Sequence, residues 1–274
     1  MTAVKNFTEK KLTMKDLRNN PLYMDTFQTY GNDKMKDYHN EETGEFFKYA
    51  QFSTIAGICC PYASIGCAIA CYAKTGCHVF KSTKELRKRQ YEDTLRNDFA
   101  ERMIYTIETE LTSKRYFGNH MMLRLHESGD FYSMEYLRKW LEVFDHFKTA
   151  NNFTTCFYTK SFVFFDNLSP EEKQLINECL EKNVLAISWS LDDTTTFEQI
   201  ALAMKLKEQF PLSNIYYCAE NIDEIAHDNE CKCEDCAKCG TCTKTNGTVT
   251  VVKIHSVTEQ KKAKYHKNRR DSKK

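Results

Sequence analysis

Residues 120–160 read "HMMLRLHESGDFYSMEYLRKWLEVFDHFKTANNFTTCFYTK". The alternating stretch "HMMLRL" runs into a polar turn, "HESGD". From Ser133 to Ala150 apolar residues fall at helical spacing, and Ser133 is placed to cap that helix. "FTTCFYTKS" is β-branched and aromatic and reads as the next strand. This is one strand–helix–strand unit of about thirty residues, the length of a parallel βα repeat.

The unit recurs. Strand cores begin near Met121, Thr154, Val184, Asn214 and Thr248, at intervals of 33, 30, 30 and 34 residues. Between them lie the helices "SPEEKQLINECLEKN", with Ser169 at the cap and Pro170 in the first turn, and "TTTFEQIALAMKLKEQF". "FFKYAQFSTIAGI" (46–58) supplies an earlier strand, and 84–113 reads as one long helix. Strands alternating with helices at this period predict an α/β fold. A partial or complete β/α (TIM-like) barrel is the first choice, and an open doubly wound sheet the second. We divide the chain into a polar N-terminal extension (1–45), a barrel-like catalytic domain (46–258) with a cysteine-rich insertion (227–245), and a basic tail (259–274).

Both folds keep their chemistry at the carboxyl ends of the strands. Those ends carry Arg124, His126, Glu127 and Asp130; then Lys160; then Ser188 to Asp193; then Cys218 and Glu220; then His255. Alternation places Arg124 and His126 on one face, with Leu123 and Leu125 on the other. Asp130, His126 and Glu127 are the candidate catalytic groups. Arg124, Lys160, Ser188 and Glu220 are the candidates for binding a cofactor or an anionic substrate.

The chain has thirteen cysteines, an odd number that cannot all pair. Cys156 and Cys179 are isolated and suit buried thiols. Two groups do not. The first is Cys60, Cys67 and Cys71, spaced C-x6-C-x3-C and flanked by Cys59 and Cys77. Three thiolates fall one short of a structural zinc site but suffice for three irons of a [4Fe–4S] cluster; with Cys59 or Cys77 a four-thiolate site forms. The second is Cys231, Cys233, Cys236, Cys239 and Cys242, five thiols in twelve residues, which reads as zinc or a second iron–sulfur site.

Other classes find little support. No run reaches the ~20 apolar residues of a membrane span, and the start lacks the apolar core of a secretory signal. A cytoplasmic location is the expectation. The net charge is +1, yet residues 261–274 hold eight Lys or Arg and one Asp. This tail is expected to be disordered, and it can hold nucleic acid through phosphates. No glycine fingerprint for a nucleotide occurs.

A cysteine loop ending in Cys71-Tyr72-Ala73 at the start of a βα series resembles radical S-adenosylmethionine enzymes, where the familiar spacing is C-x3-C-x2-C. The resemblance implies a [4Fe–4S] cluster on Cys60, Cys67 and Cys71 with S-adenosylmethionine on its open iron. "CPYASIGCAIACYAKTG" (60–76), "LRLHESGDFYSMEYLRKW" (123–140) and "FYTKS" (157–161) resemble the phage gene product 88 family. That implies a phage or mobile-element origin, and so a host cytoplasm. Cys231, Cys233 and Cys236 with His255 are also similar to the zinc site of tRNA-guanine transglycosylases. That would imply base exchange on nucleic acid, with Asp130 and Asp192 or Asp193 as the catalytic pair. A third reading is a non-catalytic, zinc-stabilised protein that binds nucleic acid through its tail.

Overall fold

The computed structural model describes residues 12–31, 36–41, 44–219, 228–230, 245 and 247–253. Glu220, Cys231 to Cys242, His255 and the basic tail lie outside the described residues.

Eight strands are described. They are β1 (Tyr38–His39), β2 (Phe46–Phe52), β3 (His120–Leu125), β4 (Phe153–Thr159), β5 (Leu185–Asp192), β6 (Asn214–Ala219), β7 (Asn229–Glu230) and β8 (Val249–Lys253). They form one sheet in the order β1-β2-β3-β4-β5-β6-β8-β7. Only β1 pairs antiparallel, and β2 through β6, β8 and β7 run parallel. From β2 to β6 each new strand lies beside the one before it. A doubly wound sheet reverses direction at a switch point; these strands never do, so the second fold choice is set aside. The sheet curls into a half-barrel, and among the described residues it ends at β1 and β7.

Eight helices accompany it: α1 (Met14–Arg18), α2 (Ile65–Ala70), α3 (Lys81–Thr94), α4 (Phe99–Leu111), α5 (Met134–Phe147), α6 (Phe162–Asp166), α7 (Pro170–Glu181) and α8 (Phe197–Gln209). The expected caps are in place. Ser133 Oγ accepts from Tyr136 N, and Ser169 with Glu172 forms a capping box behind Pro170. The long helix expected over 84–113 is two. It breaks after Thr94, where Asn97 and Asp98 favour turns over helix interiors and Arg102 Nη1 bonds Asp93 Oδ1 across the corner at 2.8 Å. None of the described helices is long and apolar enough to cross a membrane.

Alternation along the strands separates two faces. Phe52, Leu123, Leu125, Phe157, Ile187 and Trp189 face the helices and join one large core. Trp140 on α5 sits at its centre, its ring 6.0 Å from Phe52, 5.5 Å from Phe99 and 5.8 Å from Phe144. The opposite, concave face carries a small cluster of Tyr49, Met122, Cys156 and Ala186. Residues assigned to the N-terminal extension reach the main core, where Met24 and Phe27 are buried. Arg18 and Tyr23 clamp them down by bonding the buried Glu110 on α4.

Candidate active site at the mouth of the half-barrel

The cysteine loop leaves β2 and returns over the carboxyl ends of the strands. Its root is stitched to the turn after β3. Thr54 N donates to Ser128 O at 2.9 Å, Ser128 Oγ to Thr54 O at 2.7 Å, and Asp130 N to Cys59 O at 2.7 Å. Ser64 caps α2, accepting from Cys67 N at 3.2 Å. Cys67 lies inside α2 and Cys71 ends it, while Cys60 comes one turn before the cap. Farther on, Tyr72 donates its hydroxyl to Glu127 O.

The loop is also hooked to β5, 128 residues away. Ser64 Oγ donates to Asp192 Oδ2, and Gly66 N donates to Thr194 Oγ1 at 2.6 Å. Asp192 Oδ1 accepts from Thr194 N and Thr194 Oγ1 at 2.8 and 2.7 Å. Lys160, from the end of β4, puts Nζ 3.1 Å from Asp192 Oδ2 and bonds Ser190 O at 2.9 Å. Burial alone would raise the Asp192 carboxyl. The Lys160 ammonium, with the Ser64 and Thr194 hydroxyls, outweighs it and holds the pKa below the ordinary value.

Asp130 stands on the neighbouring strand end. Oδ1 accepts from Thr159 Oγ1 and Phe131 N, each at 2.7 Å, and Oδ2 from Lys160 N at 2.9 Å. Burial still dominates these donors and pushes its pKa up to about 6. The unfolded chain therefore releases this proton first. Between about pH 4 and pH 6 this carboxyl makes stability fall as pH rises, and above that window its cost is constant. The carboxyl ¹³C resonance of Asp130 is expected to titrate with a midpoint near 6, and the falling limb to vanish in Asp130→Asn. A midpoint near 4 would refute this placement.

The three early thiols share this mouth. Burial pushes Cys60 up to about 12, with the charges of Asp130, Cys67 and Cys71 adding to it. Burial pushes Cys67 up to about 11; Lys160 opposes the rise and Asp192, Cys71 and Asp130 add to it. Cys67 is exposed by area yet strongly desolvated. Both hold for a group lining a concavity that water reaches from one side. Tyr72, 42% exposed with its hydroxyl pushed well up by burial, follows the same pattern. Among the described residues, no three Cys, His, Asp or Glu side chains close around a single ion.

Arg124 lies on the concave face, its guanidinium 4.0 Å from the centre of the Tyr158 ring; Tyr158 in turn meets Tyr216 edge to face at 4.5 Å. Ser188 is buried on the same side of β5. His126 does not share that face. Its backbone turns left-handed, φ 55°, which breaks the strand's alternation. The ring instead packs 4.6 Å from Phe131, and Nε2 sits 3.0 Å from Tyr136 Oη in the aromatic core. Burial, then Arg124, pushes its pKa down to about 3, so the imidazole is neutral. Glu127 pairs with Arg87, Nη2 to Oε2 at 2.6 Å, and lies 4.0 Å from His78 Nε2. Cys59 is fully buried, while Cys77 is exposed.

Ser64, Thr194 and Arg87 were not singled out from sequence. Ser64 carries a local signal, a cap residue before a helix. Thr194 and Arg87 matter through partners far along the chain.

Residues 25–245 match the model of a protein family described as "Gene product 88". No curated protein and no solved structure matches the chain.

Proposed function

The chain belongs to the gene product 88 family, and from that premise we propose that it is a metalloenzyme holding an iron–sulfur cluster on Cys60, Cys67 and Cys71 and using it with S-adenosylmethionine. The observation that carries the reading is the convergence of three thiols from one loop, within electrostatic reach of one another, at the carboxyl end of a parallel sheet. That end is where parallel α/β proteins keep their chemistry. The thiols do not close around one ion. Bound there with one iron left to the cofactor, the cluster would supply the electron for radical chemistry.

The chain's own residues supply the rest. Without metal the Cys60 and Cys67 thiols are protonated at neutral pH, so loading must displace their protons, and affinity rises with pH. Lys160 favours the thiolate of Cys67. Arg124 stacked on Tyr158, with Tyr216 edge to face beside it, puts a cation and aromatic rings on the concave face, chemistry suited to a planar substrate with a negative group. The basic run 261–274 makes nucleic acid or a nucleotide the class we favour. The reading extends to a barrel closed further than the described strands and to a second metal on Cys231 to Cys242 with His255.

The test is anaerobic reconstitution of the full chain with ferrous iron and sulfide. The expected product is brown, absorbs near about 400 nm and carries about four irons per chain at the early loop. Ala at Cys60, Cys67 or Cys71 is expected to remove most of that iron without unfolding the protein. A colourless wild-type protein that takes up zinc and no iron would overturn the proposal.

A further inference from the structure

Alternation sorts the polar residues of the sheet as it sorts the apolar ones. Ala50 and Phe52 join the helix-side core, so Gln51 between them faces the concave side with Tyr49. Ile187 and Trp189 join the same core, so Ser188 faces the concave side with Ala186. Gln51 is 5% exposed and Ser188 1%. Among the described residues, neither the Gln51 carboxamide nor the Ser188 hydroxyl has a hydrogen-bond partner. Burying such groups unpaired is costly, and each calls for a partner that the fold itself does not supply.

The register brings them into one layer. Gln51 stands opposite Arg124, and Ser188 opposite Tyr158. The Arg124 guanidinium, 4.0 Å from the Tyr158 ring centre, links the two pairs. Arg124, Tyr158 and Tyr216 are only partly covered. Two residues earlier on each strand, about 7 Å deeper, come Tyr49, Met122, Cys156 and Ala186, the apolar cluster of this face. A carboxamide, a guanidinium and a hydroxyl set above an apolar floor is the composition of a small-ligand site.

We propose that this layer is a nucleotide site, in which the Gln51 carboxamide reads the edge of the base while Arg124 and Ser188 take the phosphate. This rests on the nucleotide reading above and is independent of the cluster. A carboxamide offers a donor and an acceptor side by side, the complement of an amide-type base edge. The Tyr158 ring draws the guanidinium toward β4, beside Ser188 and away from Gln51 on β2. Those strands lie about 10 Å apart along the sheet, room for a base at one end and its phosphate at the other.

The full chain, purified without added iron, is titrated in a calorimeter with the 5′-monophosphates of adenosine, guanosine, cytidine and uridine, with ribose 5-phosphate and with S-adenosylmethionine. Wild type is expected to bind at least one nucleotide about tenfold or more tighter than ribose 5-phosphate. Gln51→Leu, similar in shape, should weaken that nucleotide about tenfold and leave ribose 5-phosphate unchanged. Ser188→Ala should weaken both ligands. Each change removes an unpaired buried group, so both variants should resist urea at least as well as wild type. Lower stability in both would show that the two groups are already paired in the fold and overturn the site. No nucleotide binding by wild type, or binding untouched by either change, would overturn it too. Binding of S-adenosylmethionine alone, weakened by Gln51→Leu, would give the base to the cofactor and overturn the nucleotide assignment. Iron uptake, measured in parallel, separates the failures. A loaded cluster without nucleotide binding overturns this site alone, and nucleotide binding without iron overturns the cluster alone.

Discussion

Gly129→Ala is expected to destabilise the protein by about 3–5 kcal/mol, the sum of a strained backbone and an overpacked contact. Gly129 has φ 82°, in the left-handed region that L side chains rarely adopt. The space is also occupied. An added Cβ would overlap Thr54 Oγ1 and lie 3.0 Å from Thr54 Cβ and 3.1 Å from its carbonyl carbon. Thr54 cannot retreat freely, because its N–H and C=O both bond Ser128. The same substitution at Gly57, φ 85° with nothing within 4 Å of the new carbon, meets only the backbone cost of about 1–2 kcal/mol. Urea unfolding of both variants measures the difference. Adding Thr54→Ala to Gly129→Ala should recover part of the loss, since it removes the nearest atom but not the strain. Equal costs at Gly57 and Gly129 would show that the close approach contributes nothing.

That contact joins two segments of very different legibility. The βα period was plain in the sequence, because each strand and helix is built by local spacing, and the strands near Met121, Thr154, Val184, Asn214 and Thr248 all form. Parallel pairing followed from that period, with the crossovers taken as right-handed. Alternation located Arg124 correctly and misplaced His126, since a single residue at φ 55° reverses the faces and nothing in "RLHESGD" announces it. The helix over 84–113 failed for a related reason. Its apolar period continues through the break, while the Arg102–Asp93 pair that folds the corner is a tertiary event. Met24 and Phe27 were missed because they lie beyond α1 in irregular chain, where no period exists to reveal a buried face.

The cysteine groups were legible as clusters, since several thiols in a polar loop have no packing role. Their surroundings were not. Asp130 looked like an open catalytic carboxylate and proves to be held by three donors. Ser64 and Asp192 touch across 128 residues, and one sequence offers no means of pairing positions so far apart. Cys218 read as one of the strand ends at that face, and the register sets it beside Asp192.

Asp192→Asn is the second change expected to have a large effect, about 3–5 kcal/mol, because it leaves the Lys160 ammonium buried without its counter-charge. The side chains of Lys160 and Asp192 are 8% and 5% exposed, so water cannot take over the solvation. Asparagine keeps an oxygen for Thr194 and an N–H that can donate to Ser64 Oγ, so the cap of α2 survives while the Lys160 ammonium meets a donor in place of its carboxylate. Adding Lys160→Met to Asp192→Asn should therefore cost less than Asp192→Asn alone, although it removes a second polar side chain. A double variant less stable than the single one would refute the buried-charge account. The pH dependence carries the same sign. Because the folded Asp192 carboxyl is held below its ordinary pKa, its contribution is complete above about pH 4 and is lost as pH falls through the folded value. Asp192→Asn should flatten that acid limb, whereas Asp130→Asn should leave it in place and remove the opposite limb between about pH 4 and pH 6. Asp192, ionised at neutral pH, keeps the Lys160 ammonium paired there, and the same carboxylate takes the hydroxyl of Ser64, which caps the helix carrying Cys67.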